Sequence, residues 1–95
     1  MTIKTVAQLT KQVEKINRIK EIYVTYSDIE EDEKRFDVNI DVWINNSWGH
    51  ENDYQDFCIM TDTEKKAIAM TKRIEKKLKE LFPDLKVVNE GYQNC

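Results

Sequence analysis

The stretch Phe36-Asp37-Val38-Asn39-Ile40-Asp41-Val42-Trp43-Ile44-Asn45 decides the fold. Phe36, Val38, Ile40, Val42 and Ile44 take every second position, and Asp37, Asn39, Asp41, Trp43 and Asn45 fill the gaps. Side chains alternate across a strand, so the five apolar residues share one face and the polar set shares the other. A strand covered by helices on both sides needs apolar residues on both. This pattern therefore predicts helices on one side of the sheet and water on the other.

Working outward, Ile22, Val24 and Tyr26 alternate with Tyr23, Thr25 and Ser27, which predicts a half-buried strand before the central one. Asp28 to Lys34 reads as a polar hairpin connection. On the other side, Asn45 to Asp53 reads as a loop from its Asn, Ser, Gly and Asp content. A third strand follows from about Tyr54 to Met60, with Phe57 and Ile59 inward.

Helical spacing frames these strands. Val6, Leu9, Val13, Ile16 and Ile19 recur at three and four residues, giving a helix from about Thr5 to Ile19. Thr5 and Gln8 form a capping box at its start. A second helix spans roughly Asp62 to Phe82, with Ala67, Thr71, Ile74, Leu78 and Leu81 on one side. Thr61 and Glu64 match a second capping box, and Pro83 stops the helix. Leu85, Val87 and Val88 either add a short last strand or pack as an irregular tail. The expected fold is one α+β domain over residues 1–95. It is a two-layer sandwich in the order α-β-β-β-α, with a three-stranded antiparallel meander and an optional short C-terminal strand.

Composition narrows the class. The chain has 95 residues, 40% hydrophobic and 35% charged, which is unlike a disordered chain. Lysines and an arginine interrupt the first twenty residues, so no signal peptide or membrane span is expected. Two cysteines, Cys58 and Cys95, are too few for a disulfide scaffold. A cytoplasmic location is the simple expectation.

Charge is divided by element. Residues 1–20 hold five Lys/Arg against one Glu, residues 21–56 two against eleven acids, and residues 61–82 seven against four. The overall net charge of −3 hides basic helices and an acidic sheet with acidic loops. Glu30, Glu31, Asp32 and Glu33 crowd the first hairpin, where they can enter a basic groove as an anionic prong. Asp37, Asp41 and Trp43 lie on the polar side of the central strand, and Trp48 lies in the adjoining loop. Aromatic groups beside polar ones are enriched where proteins bind one another.

Other chemistry finds no support in the residues. Asp37, Asn39 and Asp41 step along one strand at about 6.6 Å, too spread for a single ion. The acidic hairpin lacks the central Gly of a calcium loop. His50 is the only histidine and reads as a solvent-facing loop residue; Cys58 reads as a buried, inert thiol. No phosphate loop, nucleophile elbow or HExxH appears. Neither a metal, a cofactor nor an enzymatic activity is expected. The second helix is the other candidate surface: Lys65, Lys66, Lys72, Arg73 and Lys76 can track phosphates. A third reading is a homodimer that buries Trp43 or pairs edge strands.

The α-β-β-β-α order resembles the double-stranded-RNA-binding domain. Glu64-Lys65-Lys66-Ala67 sits where that family carries its Lys-Lys pair, and the resemblance implies phosphate contacts by Lys65 and Lys66. The family's first hairpin carries a Gly-Pro-x-His-like segment, whereas this chain has Asp-Ile-Glu-Glu-Asp-Glu-Lys at 28–34, which repels RNA. Ribosome-hibernation factors have a similar layout with an additional first strand. Size, acidity and element order also look like small phage inhibitors of bacterial defence, including anti-CRISPR proteins. That resemblance implies an acidic surface that occupies a nucleic-acid groove. The expectation drawn from all of this is a non-enzymatic binding protein. Its acidic face and hairpin meet a basic groove on another protein, such as a nucleic-acid-binding effector. An RNA- or ribosome-binding module is the alternative.

Overall fold

Parity along each strand sorts the side chains of the sheet, and the helices cover the apolar side. The computed structural model describes residues 3–29, 32–44 and 53–93, with backbone alone at 32–34 and 53. The elements run α1 (Val6–Glu14), β1 (Ile19–Ile29), β2 (Asp32–Ile44), β3 (Asp53–Thr61), α2 (Glu64–Leu81) and β4 (Lys86–Tyr92). The sheet order is β3-β2-β1-β4. β1, β2 and β3 form an antiparallel meander, and β4 joins the far edge of β1 in parallel. The optional last strand is thus real, and it makes the sheet four-stranded and mixed.

One core fills the space between the layers. Ile22, Val24, Val38, Ile40, Val42, Phe57 and Ile59 rise from the sheet to meet Leu9, Val13, Ala67, Ile74 and Leu78 from the helices. Each of these is almost fully removed from water. Such burial contributes roughly 1.5–3 kcal/mol per large aliphatic side chain before chain entropy is charged against it. α2 touches all four strands, and α1 packs against α2.

Several boundaries differ from expectation. α1 stops at Glu14, not Ile19: its last carbonyls are taken up by Lys15 N–H, and Arg18 then turns back at φ 62°. That turn frees Ile19 to begin β1, while Ile16 and Ile19 still pack on the core from outside the helix. The acidic hairpin is also shorter than expected. β1 runs to Ile29 and β2 starts at Asp32, with Ile29 and Asp32 as ladder partners. Asp32 and Glu33 therefore belong to a strand rather than a loop.

Helix starts follow local hydrogen bonding. The Thr5–Gln8 capping box closes in both directions, Gln8 N–H donating to Thr5 Oγ1 and Thr5 N–H to Gln8 Oε1. The second box does not form. Thr63 caps α2 by accepting from Lys66 N–H, and the Thr61 hydroxyl donates instead to Phe36 O at 2.9 Å. Thr61 lies in β3 opposite Phe36, so its side chain is committed to the sheet.

Candidate functional site

The meander register gathers a site on the sheet face that no described helix covers. Across β2 and β3, Trp43 faces Tyr54, Asp41 faces Asp56, Asn39 faces Cys58, and Asp37 faces Met60. Across β1 and β2, Tyr23 faces Asp41 and Glu21 faces Trp43. Every one of these side chains has the parity opposite to the core set.

At one end of this face is an aromatic platform. Trp43 and Tyr54 stack with centroids 5.1 Å apart and planes 29° apart. Tyr54 keeps 55% of its surface in water, and Met60 on the same strand keeps 53%. Adjoining the platform are two carboxylates, Asp41 and Asp56, directly opposite each other. Partial burial, together with the negative charges of Asp56 and Glu90, pushes the Asp41 carboxyl above its ordinary pKa. Among the described residues, neither Asp41 nor Asp56 has a Lys or Arg within ion-pair distance.

The neighbouring corner of the same face has its cation built in. Lys86 Nζ lies 5.8 Å from the centroid of the Tyr23 ring and 3.9 Å from Glu21 Oε2. An aromatic face and a carboxylate thus already hold one ammonium group within the chain.

Farther along, the face is closed by internal bonds. Asp37 is only 8% exposed, and Arg35 grips it with two hydrogen bonds, of 2.9 and 3.1 Å. Asn39 donates to Ser27 Oγ at 3.3 Å. Burial, reinforced by Asp37, pushes the Cys58 thiol up to about 11, so it stays protonated at neutral pH. These residues stiffen the sheet and do not present free charge.

The site residues read from sequence are therefore divided. Asp41 and Trp43 stand together in the aromatic–carboxylate cluster, and Asp37 stands apart in its pair with Arg35. Asp32 and Glu33 are strand residues at the far end of β2. Glu30, Glu31, Trp48, His50 and Cys95 lie outside the described residues. Tyr54, Asp56 and Met60 were missed as site members. Their signal was present: with Phe57 and Ile59 inward, every even position of β3 must face outward.

On the opposite layer, α2 carries the cations. Lys66 binds Asp62 at 2.9 Å and Lys79 binds Glu75 at 2.7 Å, both as i,i+4 pairs. The Lys79 bond is the main reason the Glu75 carboxyl titrates below its ordinary value. Lys65, Lys72, Arg73 and Lys76 are exposed and have no carboxylate partner among the described residues. Among these residues no three His, Cys, Asp or Glu side chains gather to hold a metal ion, and no helix is long and apolar enough to cross a membrane.

No protein-family model matches the chain, and no significant match is found among curated proteins or solved structures.

Proposed function

We propose that this is a non-enzymatic binding protein whose outer sheet face, covered by no described helix, docks onto a basic surface of another protein. The observation that carries this reading is the square formed by Trp43, Tyr54, Asp41 and Asp56. A stacked aromatic pair offers a flat, polarisable surface for a guanidinium group. Two adjacent carboxylates supply the charge, and bringing a cation between them relieves their mutual repulsion. The Lys86–Tyr23–Glu21 corner is the same chemistry satisfied internally. An arginine from the partner fits the square best, since Arg offers a planar face to the rings and a fork of donors to carboxylates.

The acidic segment 21–56 extends this field beyond the square and favours rapid encounter with a basic groove. The most concrete form of the reading is an inhibitor that occupies the groove of a nucleic-acid-handling protein, in the manner of a phage anti-defence protein acting in the cytoplasm.

The test uses wild-type protein as bait to capture and identify a partner, followed by binding measurements with that partner purified. Asp41→Lys combined with Asp56→Lys should weaken binding by about a hundredfold, given costs of roughly 2–5 kcal/mol for broken buried charge pairs. Tyr54→Ala should weaken it by about tenfold or more. Replacing Glu30, Glu31, Asp32 and Glu33 by Lys should slow association, and added salt should slow the wild type. Unchanged affinity in the Asp41/Asp56 variant, with the fold intact by circular dichroism, would sink the reading.

A further inference from the structure

We infer that the outer groove between α1 and α2 is a separate binding site, one that takes the phosphate backbone of a single nucleic-acid strand. The groove lies on the helical layer, away from the aromatic–carboxylate square, and stands on different residues. Val6, Ala7 and Thr10 of α1 line it. Lys11 rises from α1, and Arg73, Lys76 and Lys77 rise from α2.

Charge complementarity identifies the occupant. The groove also includes Glu14 and Glu80, so among the described lining residues the four cations exceed the carboxylates by two. None of the four cations is within ion-pair distance of a carboxylate among the described residues, although Lys66 and Lys79 on the same helix are paired. The neighbouring Lys65 and Lys72 extend the unpaired positive surface along α2. A helix positions residues three and four apart as neighbours about 5–6 Å apart at Cβ, so Arg73, Lys76 and Lys77 act as one cluster. Holding these like charges together favours a polyanion.

Shape then selects among polyanions. Packed helices in general lie about 8–10 Å axis to axis, so the backbone of one extended strand can seat between them, whereas a duplex would touch only the rim of the groove. The buried Thr10 in its lining is already satisfied, since its hydroxyl donates to Ala7 O at 3.0 Å. Among the described residues no aromatic side chain lines the groove, so bases gain no stacking platform there and the strand is held by its phosphates without sequence preference.

The experiment is fluorescence anisotropy of a labelled oligouridylate of about twelve nucleotides, a length typical of single-strand sites. Binding should appear at low salt. Log affinity should fall against log salt with a slope of about −2.8, the value for four phosphate contacts on a single strand. Arg73→Gln combined with Lys76→Gln should halve that slope to about −1.4 and weaken low-salt binding by about tenfold or more. Both residues are exposed, so the core is untouched. The Asp41→Lys/Asp56→Lys protein should bind the strand at least as well as wild type, whatever becomes of the sheet-face reading. Tripolyphosphate should compete only weakly.

Absence of binding at low salt, or an unchanged slope in the Arg73/Lys76 variant, would overturn the inference. Loss of binding in the Asp41/Asp56 variant would move the site to the sheet and overturn it equally. Tripolyphosphate competing as well as the strand would make the ligand a free phosphate compound, and an acidic peptide binding as tightly would make it a protein.

Discussion

Asp41 is where the chemistry of the sheet face is concentrated. Its carboxyl is partly buried and looks across at Asp56, with Glu90 also near enough to matter. All three influences disfavour the ionised form, so its pKa in the folded protein is raised above that of the unfolded chain. The folded state therefore holds this proton more tightly. Stability is gained as pH falls through the raised pKa toward the unfolded value, and it is lost again as pH rises. At neutral pH the ionised group works against folding. Asp41→Asn should accordingly stabilise the protein at neutral pH, with the advantage disappearing below the unfolded pKa. Urea melts at about pH 7 and about pH 3, compared between the two proteins, check this. A variant less stable at neutral pH would mean that Asp41 makes a favourable contact outweighing the repulsion. The same residue shows what sequence can supply at this scale. Parity placed Asp41 and Trp43 on the outer face, but it could not say that Asp56 and Tyr54 stand opposite them. That pairing depends on register between two strands, and an uncertain loop length leaves register open. Asp37 had the same parity as Asp41, yet its role was set by Arg35 two positions away on the same face.

At the scale of elements, periods were legible and ends were not. The change from a 3.6-residue to a two-residue repeat separated helices from strands, because burial acts on every turn and every pleat. The ends depend on single backbone conformations that repeat patterns do not encode. Ile16 and Ile19 continued the helical stripe of α1 in sequence, but Arg18 at φ 62° breaks the chain between them. Gly91, at φ 71°, does the corresponding work in β4, where the ladder slips past Glu90 between the Val24–Asn89 and Thr25–Gly91 pairs. Asn89 Oδ1 accepts from Gly91 N–H at 3.0 Å and holds the slip in place. The two positions make opposite predictions. Arg18 carries the steric cost of a left-handed conformation, so Arg18→Gly should stabilise by up to about 1 kcal/mol. Gly91→Ala should destabilise by about 1 kcal/mol through the same conformational term. Space does not enter, because among the described residues a Cβ at Gly91 meets nothing within 4 Å. Chemical denaturation of the two variants checks both signs. A neutral Gly91→Ala would mean that β4 relaxes its slip at no cost.

For the whole molecule, what matters is that charge follows the layers. The order of acidic and basic segments was plain in the sequence, but their separation in space required the helices to share one side. The core gathers Leu9 and Val13 with Ala67, Ile74 and Leu78 against a single face of the sheet, so the cations of both helices look away from Asp41 and Asp56. A helix with its side chains is about 10–12 Å across. The outer helical surface therefore stands about one Debye length or more from the outer sheet surface at 0.1 M salt, where that length is about 10 Å. A charged matrix touching one layer feels little of the other. The protein carries a net charge of −3 and a sequence pI near 5.2, so on net charge alone a cation exchanger at pH 7 should not retain it. Segregation reverses that expectation. At about 0.1 M salt, wild type should be retained on a cation exchanger through α2 and on an anion exchanger through the sheet. Arg73→Gln with Lys76→Gln and Lys77→Gln should abolish the first retention and leave the second. Flow-through of the wild type on the cation exchanger would mean that the two fields cancel at contact distance. Each layer would then be too weakly charged to choose a partner by sign.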